Sequence, residues 1–143
     1  MRALLISLII LTTSCEYNKY YNNRESDKTE ADLFIQDFYA NIEEKQYPEA
    51  FSHIHPMMWR RVDSIKFSQY FVNLTNVLSG LKERRIDHWK TEVEVGYEPI
   101  SSYSLYYLDK YENFELKVTV HLQKDGYRGM KIIGYNANTE KFD

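Results

Sequence analysis

The chain holds one cysteine, Cys15, directly after Leu11-Thr12-Thr13-Ser14. A lone cysteine cannot close an internal disulfide, so its place behind a run of small residues implies a dedicated chemical use of the thiol. His53-Ile54-His55 is the one paired-histidine motif. Residues two apart share a face when extended and can chelate a metal, but on a helix they point apart. No cysteine or suitably spaced carboxylate joins them, so the reading is no metal site. Asp109, in Tyr107-Leu108-Asp109-Lys110-Tyr111, reads as a surface charge at a strand end paired with a lysine. Arg60-Arg61 and Lys82-Glu83-Arg84-Arg85 read as solvated ends of elements. Asn73-Leu74-Thr75 matches a glycosylation acceptor but falls inside a helical pattern. There is no GxSxG, no Gly-rich phosphate loop and no HExxH, and nothing calls for a cofactor.

These residues sit in a chain of 143 residues, the length of a single domain. Its 18 Lys+Arg stand against 21 Asp+Glu with no basic block, which argues against a nucleic-acid partner. Apolar residues make up 43% and Gly plus Pro number eight (5 and 3), so a packed core is expected and disorder is not. Thirteen tyrosines are unusual. Tyr103, Tyr106, Tyr107 and Tyr111 fall on one expected strand and place aromatics on both of its faces. Strand propensity accounts for this, and a binding surface is the other reading.

Met1-Arg2 and the nine residues Ala3 to Leu11 form a short positive start and an apolar run, too short to cross a hydrocarbon core of about 30 Å as a helix. This reads as an export signal. With Ser14-Cys15 it resembles the bacterial lipobox, although Thr12 stands where leucine is usual. The resemblance implies cleavage after Ser14, acylation of Cys15, and a protein held by its lipids in the bacterial cell envelope. Residues 1–14 contain only Arg2, so the remainder carries 17 basic and 21 acidic side chains, net −4. Attachment to the membrane is then lipidic, not electrostatic. Glu16 to Lys28 has no aliphatic residue and balances three acids with three bases, and residues 15–28 are expected to be a solvated, lipidated tether reaching about 45 Å.

The folded domain is expected over 29–143. Thr29 can cap a helix over about 30–45, with Ala31, Ile35, Phe38 and Ile42 as its apolar stripe. Pro48 suits the start of a short helix over about 48–55. Ser64 caps a third helix with Phe67, Phe71, Leu74 and Leu78 inward and Gly80 as its stop. The apolar period then changes to two. Trp89, Thr91, Val93, Val95 and Tyr97 alternate in a first strand; Tyr103, Leu105, Tyr107 and Tyr111 in a second. Phe114, Leu116, Val118, Val120 and Leu122 alternate in a third, and Asp125-Gly126 turns into a fourth with Met130, Ile132, Ile133 and Tyr135. Helices followed by antiparallel strands predict α+β, with the helices packed on one face of a curved four-stranded sheet.

This layout, with Glu44-Lys45-Gln46-Tyr47-Pro48-Glu49-Ala50-Phe51, Leu78-Ser79-Gly80 and Met130-Lys131-Ile132-Ile133-Gly134-Tyr135, resembles the nuclear transport factor 2-like (ketosteroid isomerase-like) superfamily. The match spans about 29–137, and an aromatic usually stands at Met130 in such domains; a cystatin-like arrangement is the competing pattern. The resemblance implies a cone whose pocket is lined by Phe38, Phe67, Phe71, Tyr107 and Tyr135, and a homodimer through the open sheet face, as many relatives form. It transfers no active site. The isomerase chemistry of that superfamily needs a carboxylate base facing a phenol or a protonated acid. Asp109, Tyr107, Tyr135 and His121 have the right types, although His121 alternates with Lys117 and Thr119 on the wet side of its strand. The expected role is a non-catalytic domain binding an envelope protein or a small ligand, with an isomerase or dehydratase as the alternative.

Overall fold

The structure, a computed structural model, describes residues 18–60, 64–126 and 128–140. Ser14, Cys15 and Arg61, with the side chains of Ser64 and Phe67, lie outside the described part. The architecture is α+β, with helices preceding the long strands of an antiparallel sheet, as the change of period predicts. The elements are β1 (Lys19–Asn22), α1 (Glu25–Glu43), α2 (Tyr47–Ser52), α3 (Pro56–Trp59), α4 (Ser64–Leu78), β2 (Glu83–Val95), β3 (Ile100–Lys110), β4 (Glu115–Asp125) and β5 (Gly129–Glu140). The strands follow one another in the order β1-β2-β3-β4-β5, each antiparallel to its neighbour.

The core forms where two periodicities meet. Ala31, Ile35, Phe38 and Ile42 recur at three- and four-residue steps, so they line one side of α1 and are buried. Leu105, Val118, Val120 and Leu122 recur every second residue on the covered face of the sheet and are buried as well. Each such aliphatic side chain contributes about 1.5–3 kcal/mol by leaving water. Register shifts at Ile86/His88 and His121/Leu122 mark bulges, where strands bend. Among the described residues no helix is long and apolar enough to cross a membrane.

Four expectations are corrected: the number of strands, the tether, the start of the first helix and the place of Thr29. The sheet has five strands rather than four, because Lys19–Asn22 pairs with β2 from Lys19↔Val95 to Asn22↔Glu92. The segment read as a tether over 15–28 therefore enters the folded unit by Lys19, and α1 begins at Glu25 instead of about residue 30. The physical reason is that β1 is an edge strand needing few apolar side chains; backbone pairing and asparagines fix it. Asn18 Nδ2 donates to Glu94 Oε1 at 2.7 Å, and its Oδ1 accepts from the Tyr97 amide at 3.1 Å. At the other end Asn23 sits at φ 52°, a conformation asparagine tolerates, and its Oδ1 accepts from the Thr91 amide at 2.9 Å. The first turn of α1 is likewise held by polar groups, with Arg24 donating twice to Asp27, both at 2.8 Å. Thr29 lies inside the helix, its hydroxyl donating to the Glu25 carbonyl.

Gly96, at the start of the β2–β3 turn, lies against Asn18, the residue before β1. A Cβ there would lie 2.0 Å from Asn18 Oδ1 and 3.0 Å from Asn18 Cα, so backbone as well as side chain must move. Gly96→Ala is expected to speed amide hydrogen exchange in Lys19–Asn22 about tenfold, an opening made easier by about 1.4 kcal/mol. The amides of β3 should keep their protection. Unchanged exchange in β1 would show that Asn18 does not hold the strand.

Candidate functional site

The covered sheet face carries a buried cross-strand ion pair, positioned by strand register. Arg84 near the start of β2 stands opposite Asp109 near the end of β3. Both project under the helices: Asp109 is 1% exposed. The guanidinium grips both carboxylate oxygens, Nε to Oδ1 at 2.7 Å and Nη2 to Oδ2 at 2.5 Å. Such fork-to-fork pairing is the strong form of a charged hydrogen bond, and burial of a carboxylate requires it. The expectation of a surface charge paired with lysine is therefore corrected. Tyr103, Leu105, Tyr107 and Asp109 share one side of β3, Tyr111 follows just after its end, and only the carboxylate breaks that apolar and aromatic series. It needs a buried cation, which the β2–β3 register supplies.

Aromatic rings complete the site. The Arg84 guanidinium lies over the Tyr39 ring at 3.7 Å, and Tyr107 is 5.5 Å away. The Tyr39 and Tyr135 hydroxyls are 3.0 Å apart, and Tyr107 donates to Asp32 Oδ1 at 2.9 Å. One buried network thus ties α1 to β2, β3 and β5. Burial pushes the Tyr39 phenol above its ordinary value despite the nearby Arg84 cation. Burial first, and then the Asp32 anion, raises Tyr107; burial and the Tyr39 contact raise Tyr135. Burial pulls the Arg84 guanidinium down, but its hydrogen bonds to Asp109 and the surrounding phenols leave it above its ordinary value. The site therefore holds a permanent cation, a committed anion and neutral phenols.

Beside this network α4 spans the sheet over two openings. Tyr70 of α4 meets Tyr135 of β5 edge to face, ring centres 6.4 Å apart, and divides them. One cavity, of about 260 Å³, is lined chiefly by Phe38, Ile54, Met58 and Ile132, with Lys66 at its rim. The other, of about 250 Å³, runs along Leu74, Leu78, Leu116 and Ala137 and reaches Asp109 and Tyr111. The Tyr111 hydroxyl is buried and has no hydrogen-bond partner among the described residues. Lining of this kind, apolar with a few placed polar groups, is the usual character of small-molecule sites.

Of the expected pocket residues, Phe38 and Tyr135 line these cavities. Phe71 is core between α1 and α4, its ring 6.4 Å from Phe38 and 5.7 Å from Tyr47. Tyr107 belongs to the polar network. His121 faces away from the helices, bonded to Ser104 Oγ at 2.9 Å. His53 and His55 serve structure: His53 bridges Asp37 Oδ2 at 2.8 Å and the Glu49 carbonyl at 2.9 Å, and His55 Nδ1 accepts from the Met57 amide at the start of α3. Among the described residues no cluster of three or more His, Cys, Asp or Glu side chains is placed to hold a metal. Arg84, read from the sequence as part of a solvated element end, is corrected to the partner of Asp109, and neither it nor Tyr39 was legible as a site residue, because their partners lie on elements distant in the chain. No family model matches the chain, and no curated protein or solved structure matches it.

The phenols give a pH signature. Their folded pKa values lie above the ordinary value near 10, so the stability they contribute is complete below about pH 10 and is lost as the pH rises towards the folded values. In an alkaline titration followed by phenolate absorbance and circular dichroism, exposed Tyr20, raised mainly by its hydrogen bond to Glu94, should ionise with the fold intact. Tyr39, Tyr107 and Tyr135 should ionise only as helical signal disappears. Smooth ionisation of every tyrosine before unfolding would contradict the buried network.

Proposed function

We propose that this chain is a bacterial cell-envelope lipoprotein, held by lipids on Cys15 after removal of residues 1–14, whose α+β domain binds a small, largely apolar ligand without transforming it. The observation that carries the binding reading is the pair of apolar cavities under α4, set beside a carboxylate with both oxygens already taken by Arg84. A general base must accept a proton from its substrate. Asp109 can do so only by giving up a buried ion pair, a rupture that costs about 3–5 kcal/mol. The isomerase or dehydratase alternative rests on this same residue and loses its base to Arg84. Helices covering one face of an antiparallel sheet support a nuclear transport factor 2-like cone as the scaffold.

The ligand's chemistry follows from the walls. Its body is apolar and slender, to enter between α4 and β5. An acceptor atom on it would satisfy the Tyr111 hydroxyl, and Lys66 favours an anionic end at the outer opening. Tyr70 lies between the two cavities, so rotation of its ring joins them and sets the length of molecule accepted.

The amphiphilic dye anilinonaphthalene sulfonate tests this, because it pairs an apolar body with an anion. Titrated into the folded protein, it should bind with a Kd of about 1–100 μM and brighten. Met58→Trp, which fills the cavity beside Phe38, should weaken binding about tenfold or more while leaving the thermal midpoint within a few degrees. Dye binding that ignores Met58→Trp would place the ligand elsewhere and overturn the reading.

A further inference from the structure

We infer that the end of the sheet carrying the β2–β3 turn rests directly on the lipid bilayer. This seating depends on the Cys15 anchor proposed above and goes beyond it, because it assigns a membrane-contact surface and an orientation to the domain.

The argument begins with chain length. Asn18 is already fixed to Glu94 and Tyr97, and Lys19 pairs with Val95. Three residue steps separate Asn18 from Cys15, at most about 11 Å of extended chain. Lipids on Cys15 therefore keep this end of the sheet within about one headgroup layer of the membrane. The long tether expected from composition would have let the domain stand off; the pairing of β1 removes that freedom.

The same end carries an apolar rim. Tyr97 and Ile100 are each 59% exposed and Val95 50%, and Tyr20 on β1 is 70% exposed. They come from the ends of three adjoining strands and the turn between two of them. Pro99 adds an apolar ring, and the Gly126 amide donates to its carbonyl at 3.2 Å, bringing the β4–β5 turn alongside. Tyrosine with aliphatic neighbours suits the boundary between headgroups and acyl chains. Elsewhere, exposed Leu33 and Met57 stand singly on α1 and α3, Ile65, Tyr70, Val72 and Val77 lie along α4, and Phe114 lies between β3 and β4. Charge at the rim is mixed. Arg128 stands beside Asp125 and Glu98, and Lys19 pairs with Val95 on the neighbouring strand, so the contact needs no anionic lipid. Insertion of the rim places the β3–β4 turn one strand length away, about 35 Å out into the aqueous phase.

The test uses the mature lipoprotein purified from membranes and reconstituted in phosphatidylcholine vesicles with brominated acyl chains. Acylation consumes the thiol of the chain's single cysteine, so a second cysteine becomes the only free thiol. Tyr97→Cys, Ile100→Cys and, at the opposite end, Glu112→Cys are each labelled with a polarity-sensitive fluorophore. Mass spectrometry of the N-terminal peptide reports the lipid on Cys15. Blue-shifted emission and at least about twofold quenching at positions 97 and 100, with neither at 112, is the expected result. Acylated Cys15 with labels at 97 and 100 as wet as at 112 overturns the seating while the anchor stands. Unmodified Cys15 overturns the anchor, and the seating with it.

Discussion

The structure depends on keeping one buried ion pair satisfied. Two charges taken out of water each cost several kcal/mol unless geometry returns it, and the Arg84–Asp109 fork, backed by the Tyr39 ring, supplies that geometry. Its consequences spread outward. The pair fastens the start of β2 to the end of β3. Through Tyr39 and its contact with Tyr135 it also sets where α1 lies on the sheet. The space left under α4 follows from that placement, and so does the chemistry available there. A slot beside an occupied carboxylate offers a lining and an orienting field, and it lacks a free base.

Much of the architecture was legible in the sequence, for a physical reason. Elements that bury a face must show it as periodicity: Ala31, Ile35, Phe38 and Ile42 announce α1, and Leu116, Val118, Val120 and Leu122 announce β4. β1 shows no such pattern because an edge strand is held by main-chain pairing and asparagine clamps, which leave no hydropathy signal. The start of α1 escaped for a similar reason. Arg24 and Asp27 stabilise it locally with polar groups, where the apolar stripe has not begun.

The site was less legible than the fold. Phe38 and Tyr135 stand in its walls, but Asp109 read as a surface charge because Lys110 follows it and the chain alone does not reveal the opposing strand. Cross-strand register turned that residue from a surface feature into the centre of the network. The cavities arise from the spacing between α4 and β5, a distance no local pattern encodes. The segment between α2 and α3 is joined to the edge strand β5, since residues 53–55 pair with Ile132 through the His53 carbonyl at 2.8 Å and the His55 amide at 2.9 Å. That short bridge covers part of an otherwise open sheet edge, a position proteins commonly protect from unwanted pairing.

The central claim is that the Asp109 carboxylate is fully committed to Arg84. Urea unfolding of Arg84→Met, Asp109→Leu and the double variant measures this directly. Each single change should cost about 3–5 kcal/mol by stranding a buried charge or its partner, and the double variant should recover most of that loss. Losses that simply add would mean that the two groups do not depend on each other, leaving Asp109 free to take a proton.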